Sequence, residues 1–486
     1  MKKIRKRFIA NIIFNIIALI STVLALIFCI YIHKLDMIPS NYLKIALIAV
    51  GVIYLILIAF TLPRKMKRVI KLVCCIFFII NALVFGYGIK YSDKTIEALE
   101  KISYDLSQKE DYEVRVLNKS NVTSANDLKN KKIGIFKNEK YDDVVKYLTK
   151  DITCELIDYD DPVKFFEDLQ DGNIDAVIAS ETVYSLLQED LSYMKLNLKK
   201  VHTVGVPIEE KINEVVKVVD VTNTPFNIYI AGGDKFGSID KVMNTDVNMV
   251  VSVNPINHKI LLTSIPRDYY INLPSKGEDA YDKLTHAGYY GVQESIRAVE
   301  KLLDTEINYY AKVNFSTIQK VVDAIGGVDV KSDYAFRFAD EWNNMFFTYK
   351  KGINHLNGKQ ALGFARERES FSDGDVERVK NQQKVIDAII NKMTSSKELI
   401  GKYTNILDAI SANFSTNLDR NSISRLVKMQ LSDMRGWETE SQNLEGKSDM
   451  SKNCYSLKGW ELYIMRQDAD SVKKNSDRIK EFLSSK

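Results

Sequence analysis

The sequence predicts a membrane-anchored α/β protein: three N-terminal transmembrane helices, a small α/β accessory domain, and an α/β/α layered domain with a central mixed sheet. Three observations lead there. Three apolar runs, each long enough to span a bilayer, lie within the first 91 residues. Short β-type runs then alternate with helical ones from about 110 to 205. A second, longer set of strands and amphipathic helices begins at Phe226. The corresponding units are 1–91, 92–220 and 221–486.

The chain has 486 residues, enough for two or three domains. Apolar residues make up 46% and charged residues 27%, which supports folded cores and argues against wholesale disorder. A net charge of +4 is too small to suggest nucleic acid as a partner. The apolar runs are Phe8 to Ile32, Ile45 to Leu62 and Leu72 to Ile89. Lys2, Lys3, Arg5, Lys6 and Arg7 precede the first, but it is too long for a signal-peptide core and lacks a small-residue exit. A membrane anchor is the better reading. Arg64, Lys65, Lys67, Arg68 and Lys71 make the second connection as basic as the N-terminus. Basic flanks stay cytoplasmic, so everything after Lys90 is expected outside the cell.

Cys29, Cys74 and Cys75 fall in or beside apolar runs, and Cys154 and Cys454 lie in different predicted units. None has metal-ligand spacing. Residues 91 to 110 read as a polar amphipathic helix leading away from the membrane. Strands are expected at Tyr112 to Leu117, Lys132 to Phe136, Cys154 to Ile157 and Asp175 to Ala179, with helices between them. The runs Leu128 to Ile135 and Leu169 to Val177 resemble a lobe of the periplasmic solute-binding-protein fold. Such a unit could bind a wall or lipid-linked sugar, or serve as a scaffold without a ligand.

A polar connector, 206 to 225, leads to the larger domain. Strands are expected at Phe226 to Ala231, Val247 to Val253 and Lys259 to Ile265, the last two joined by the turn Asn254-Pro255-Ile256-Asn257. Helices are expected at Gly291 to Leu303, Thr317 to Ile325 and Val376 to Lys392.

The residues that carry chemistry are Arg and Asp at strand and helix ends. Arg267 and Asp268 follow a strand, with Pro266 limiting the exit direction. In open α/β sheets ligands gather beyond the carboxyl ends of strands. Asp234 also follows a strand, after Gly232 and Gly233, and Asp246 precedes one. Two carboxylates brought together could hold Mg²⁺, which favours oxygen ligands and keeps waters and phosphate oxygens. Read alone, they are equally ordinary turn residues. Arg366 and Arg368 share a face only if the chain there is extended, and Arg suits bidentate phosphate contact. Asp375, Arg378 and Gln382 share one helical face, with Asp375 near the helix start. Lys283 to Ala287 could steer an anionic ligand, whereas His286 reads as structural. No nucleophile elbow and no Walker A pattern is present.

Together these pieces resemble the LytR-CpsA-Psr family of bacterial cell-wall glycopolymer transferases. The carrying motifs are Gly233-Asp234, Thr245 to Met249, Leu262 to Asp268, Lys283 to Ala287, Ile325 to Val328, Ala365-Arg366-x-Arg368 and Asp375-x-x-Arg378-x-x-Asn381-Gln382-Gln383. The anchor and accessory unit look like the longer capsule-type members. The resemblance implies transfer of a polyprenyl-pyrophosphate-linked glycopolymer (capsule, teichoic acid or similar) to peptidoglycan, in a Gram-positive-type envelope. It implies an apolar pocket for the polyprenyl tail, with membrane lipid as a further partner. Arg267, Arg366, Arg368, Arg378 and Gln382 would hold the pyrophosphate, with Lys283 alongside, and Asp234 and Asp246 would bridge Mg²⁺. Asp268 or Asp375 would orient an arginine or activate the acceptor hydroxyl.

One departure stands out. The family usually has Arg two positions before Asp246, where this chain has Asn244. Lys235 or Lys241 could replace that cation, and Asn244→Arg is expected to raise activity or lipid-pyrophosphate affinity. Two other functions fit the same residues: a non-catalytic binder of lipid-linked polymer that regulates envelope assembly, and a polyprenyl-pyrophosphate pyrophosphatase.

Overall fold

The computed structural model describes residues 2–63, 66–103, 109–137, 141–190, 197–207, 217–233, 244–340, 345–372, 374–395, 403–411 and 413–485. Among these, three helices are long and apolar enough to cross a membrane: α1 (Lys2–Leu35), α2 (Ser40–Thr61) and α3 (Arg68–Ser103). Their presence near the N-terminus suggests membrane anchoring. The helix expected over 91–110 is present as far as Ser103, as a continuation of the third span. Lys109 already starts a strand. At 36 residues, α3 is about 54 Å long, well beyond a bilayer core. Its last turns carry Ile96, Leu99 and Ile102 on one face, the spacing of a helical stripe, and these pack against Leu35, Met37 and Leu407. The anchor is therefore joined to the larger domain by a shared apolar core.

The accessory unit comprises β1 (Lys109–Leu117), β2 (Lys132–Phe136), α4 (Tyr141–Asp151), β3 (Glu155–Tyr159), α5 (Lys164–Asp171), β4 (Ala176–Ser180), α6 (Glu181–Asp190) and β5 (Leu198–Pro207). Its sheet has the order β3-β2-β4-β1-β5. The strands linked by helices are parallel, as the alternation predicts, whereas β1 pairs antiparallel with β4 and β5. The five cysteines are unpaired.

The larger domain begins with β6 (Phe226–Gly233), β7 (Val247–Asn254) and β8 (Lys259–Ile265), then β9 (Tyr270–Asn272), β10 (Tyr281–Lys283), α7 (Leu284–Ala287) and α8 (Val292–Leu303). It continues through β11 (Tyr309–Asn314), α9 (Phe315–Ala324), β12 (Val328–Ser332), β13 (Phe336–Asp340), β14 (Met345–Tyr349), β15 (Gly352–Leu356), α10 (Gly358–Arg366) and α11 (Gly374–Ser395). The chain ends with α12 (Tyr403–Ile410), β16 (Phe414–Thr416), α13 (Arg420–Asp433), β17 (Glu438–Asn443), β18 (Gly446–Ser451), β19 (Leu462–Gln467) and α14 (Ala469–Ser484). The central sheet has the order β16-β11-β6-β7-β8-β17 and is mixed.

Strand residues alternate between the two faces of this sheet. Val250, Leu261 and Ile265 face α8 and α14 through Ile296, Val299, Ile479 and Phe482. Met249, Val251, Ile260 and Leu262 face the other side, against Ile386 and Ile390 of α11 and Ile423 and Leu426 of α13. The result is the three-layer arrangement the strand pattern predicts. At Gly232 on β6 an added Cβ would meet the Val247 Cβ at 2.7 Å, so only glycine lets these strand ends pack this closely.

The accessory unit and the larger domain share a core as well. Phe165, Phe166, Leu169, Tyr184 and Leu187 pack with Cys454, Leu457, Leu462 and Ile464 from the β18–β19 region.

Candidate active site

A cavity of about 840 Å³ opens at the end of the central sheet where β8 ends and β7 begins. Asn248 pairs with Ile265 in the antiparallel β7–β8 ladder. Asp246 and Arg267 each lie two residues beyond that pair, so they stand opposite one another. Arg267 Nη1 donates to Asp246 Oδ1 at 2.6 Å. The turn after β8 is closed by the Tyr269 N–H donating to the Pro266 carbonyl at 3.1 Å. The Thr285 N–H donates to the Arg267 carbonyl at 2.8 Å, which brings the Lys283 to Ala287 segment against the same turn.

Arg366 is the last residue of α10. Glu367 then turns extended (φ −63°, ψ 129°), so Arg368 returns to the cavity instead of rotating onward with the helix. Arg366 Nη1 donates to Asp340 Oδ2 at 2.5 Å, and its guanidinium lies 5.7 Å from the Phe338 ring centre. Arg378 and Gln382 reach the cavity from α11. That helix is pinned to the sheet by Gln383 Nε2, which donates to Ser264 Oγ at 2.9 Å, the Gln442 carbonyl at 3.0 Å and Asn443 Oδ1 at 2.8 Å.

The structure thus brings together Asp246, Arg267, Asp268, Lys283, Arg366, Arg368, Arg378 and Gln382. Asp234, Lys235 and Lys241 lie outside the described residues, as does the side chain of Asp375, whose backbone sits in the first turn of α11. Asn244 is buried, 5% exposed, and is absent from the cavity lining.

Lys283 lines the cavity as a buried, ion-paired cation: its side chain is only 5% exposed and its ammonium is paired with Asp190 and, at 3.6 Å, with Asp268. Several lining residues are not evident from the sequence, Arg337, Asp340 and Asp190 among them. Arg337 and Asp340 come from the β13 edge, where the alternation of buried Phe336 and Phe338 was the available signal. Asp190 comes from the accessory unit, with no local signal at all.

These groups form one ionic chain of alternating sign. Asp282 faces His286 Nδ1 at 2.6 Å, and Asp190 faces His286 Nε2 at 2.8 Å. Asp190 also binds Lys283, Lys283 neighbours Asp268, Arg267 Nε lies 3.6 Å from Asp268, and Arg267 closes the chain on Asp246. Burial works against a charge on His286, but Asp282 and Asp190 outweigh it and raise its pKa to about 9. Burial likewise opposes charge on Asp190, yet His286 and Lys283 hold its pKa down at about 2. With a carboxylate on each ring nitrogen, His286 is a buried imidazolium that holds structure.

The sign of the resulting pH dependence follows. The folded His286 pKa lies above its ordinary 6.5, so its contribution is complete below pH 6.5 and is lost as pH rises through about 9. At 1.36 kcal/mol per pKa unit this is at most roughly 3 kcal/mol. Thermal unfolding of the wild type is expected to move to lower temperature across that window, and His286→Gln to flatten the slope. An identical slope in both proteins would contradict the assignment.

The donor set bears on metal binding. Asp246 offers hard carboxylate oxygen at the cavity wall. Among the described residues no group of three or more His, Cys, Asp or Glu side chains gathers for a metal. Such a set fits Mg²⁺ held partly by substrate phosphate, and does not make an all-protein cage. As for anions, Arg337 and Arg368 line the cavity with no ion pair among the described residues. Guanidinium groups converging from β8, β13, α10 and α11 suit a ligand with several phosphate oxygens.

A family model described as the LytR_cpsA_psr family matches residues 192–476. A second, described as NMT1/THI5 like, matches residues 87–220, the accessory region. The chain is 38% identical over 205 residues to "Polyisoprenyl-teichoic acid--peptidoglycan teichoic acid transferase TagU" of Bacillus cereus, covering 42% of this chain and 64% of that one. It is 36% identical over 248 residues to the same-named protein of Bacillus mycoides, covering 51% and 75%. The chain thus spans less than two thirds of the length of the first of these relatives. A solved structure described as "Crystal structure of B. subtilis TagU" overlays with a TM-score of 0.41 at 28% identity, covering 54% of this chain and 98% of that one. The family model matches more than half of the sequence, and the chain belongs to the LytR-CpsA-Psr family.

Proposed function

We propose that this protein is a membrane-anchored phosphotransferase that attaches a polyprenyl-pyrophosphate-linked glycopolymer to peptidoglycan. The observation that carries the reading is the convergence of Arg267, Arg337, Arg366, Arg368 and Arg378 on one cavity, with Asp246 and Asp268 among them. The relatives, named as teichoic acid transferases, agree with it. The N-terminus and second connection are cytoplasmic in this reading, by the positive-inside rule, and the larger domain is outside. Lipid-linked phosphates are the phosphate donors available there.

In the reaction an acceptor hydroxyl of peptidoglycan attacks the phosphorus that bears the polymer. A new P–O bond forms, the bond to the bridging oxygen breaks, and polyprenyl phosphate leaves. The arginines bind the pyrophosphate oxygens and hold the reacting phosphorus in line with the hydroxyl. Phosphoryl transfer draws most of its rate from such positioning and charge stabilisation. Asp268, at the cavity wall, takes the hydroxyl proton, and Asp375 is the alternative carboxylate. Asp246, with Asp234, would hold Mg²⁺, which when bound neutralises charge on the pyrophosphate.

The test uses cells that lack other enzymes of this family. Asp246→Ala and Arg366→Ala are each expected to abolish polymer attachment to peptidoglycan at normal protein levels. Full attachment in both would leave a binding or regulatory role as the surviving explanation.

A further inference from the structure

Asp190 occupies an electrostatically poor position for a carboxylate. It is the final residue of α6, where the helix dipole presents partial negative charge. Its side chain is 11% exposed. A carboxylate so placed is tolerated when cations meet it, and two do: the Lys283 ammonium and the His286 ring, both nearly buried. They belong to the other unit, 93 residues further along the chain in the case of Lys283. Lys283 in turn neighbours Asp268, and Asp268 neighbours Arg267.

A second observation is independent of these charges. The two units are joined by a continuous apolar core in which Phe166 and Tyr184 pack with Cys454 and Leu457. Tyr184 is on α6 itself, and its hydroxyl donates to the Glu113 carbonyl of β1 at 2.9 Å. The helix that presents Asp190 is therefore held between the accessory sheet and the larger domain, so Asp190 meets Lys283 at a defined place. A tethered spacer needs neither feature.

We propose that Asp190 is a positioning residue of the active site: it fixes Lys283 against Asp268, and through Asp268 it sets Arg267, so the accessory unit completes the catalytic cavity. The proposal rests on the phosphotransferase reading above. Asp190 does not bind phosphate. Its loss makes the cavity more positive while leaving Lys283 unanchored. Geometry at the reacting phosphorus should suffer while attraction for anions does not.

The experiment uses the full chain in proteoliposomes, with a short-chain polyprenyl-pyrophosphate oligosaccharide as donor and peptidoglycan fragments as acceptor. Turnover is read as polyprenyl phosphate release, and anion affinity as calorimetric binding of inorganic pyrophosphate. Asp190→Asn is expected to lower kcat about tenfold or more while the pyrophosphate Kd is unchanged or tighter, since misplacement costs rate more than charge attraction. Asp190→Glu restores the charge and is expected to recover part of the rate. The proposal is overturned if folded Asp190→Asn keeps wild-type kcat. It is also overturned if kcat rises as binding tightens, which would make Asp190 a plug, or if rate and affinity fall together without recovery in Asp190→Glu. Arg366→Ala is the control. If it too retains turnover, the phosphotransferase reading fails; if it alone loses turnover, only the role of Asp190 fails.

Discussion

Arg267→Ala is expected to reduce the transfer rate by about 100- to 1,000-fold, the loss typical when one preorganised donor to a developing charge is removed. Two effects add. The cavity loses the guanidinium at the end of β8, the position best fixed by the fold, through the Pro266 turn and the bond from Thr285. The Asp246 carboxylate, 8% exposed, also loses its partner. An unpaired buried carboxylate is costly and will recruit water or a proton. Arg267→Lys should recover little, because a point charge cannot reproduce the fork that reaches Asp246 and a phosphate together. The check is polyprenyl phosphate release by purified protein. A rate within a few-fold of wild type for Arg267→Ala would remove this residue from the machinery.

Phe166→Ala is expected to cost about 3–5 kcal/mol of stability, as for other fully buried aromatics. Phe166 packs 4.3 Å from Phe165 and 5.5 Å from Tyr184, centroid to centroid. The cavity left behind lies in the core shared with Cys454 and Leu457, so the loss loosens the junction and not only the accessory unit. Because Tyr184 and Asp190 share α6, transfer activity is expected to fall alongside stability. Urea denaturation of the detergent-solubilised protein measures the first effect. A loss under about 1 kcal/mol would mean that the two units do not depend on this core.

How much of this was legible in the sequence depended on whether the signal was local. The three apolar runs and the β7–β8 hairpin are readable because hydrophobic length and the turn signal Asn254-Pro255-Ile256-Asn257 are properties of single segments. So are Arg267 and Asp268, which a proline holds at a strand end, and Arg378 and Gln382, which share a helical face. Arg366 and Arg368 required an extended chain to face the same way, and the abrupt end of α10 at Glu367 supplies it. What could not be read depended on pairs far apart in the chain. Asp190 is an unremarkable helix-end acid until Lys283 and His286 are brought to it. Cys454 looked like a residue of a separate domain, yet it is buried in a core built largely by the accessory unit. The merging of the third span with the following segment into one helix is not evident from the sequence, because polarity rises at Tyr91 while helical periodicity continues. Gln383 reads only as part of a motif; its anchoring of α11 depends on residues of β8 and β17, 59 to 119 positions away.

The central claim is that the arginine-lined cavity transfers a phosphate-linked polymer from a polyprenyl carrier. The most direct measurement supplies purified full-length protein in proteoliposomes with a polyprenyl-pyrophosphate oligosaccharide labelled on the sugar, together with peptidoglycan fragments. The account predicts label joined to peptidoglycan through a phosphodiester, in step with released polyprenyl phosphate, and neither product from Arg366→Ala. Release of polyprenyl phosphate with no label on peptidoglycan under any acceptor condition would contradict it and identify a pyrophosphatase.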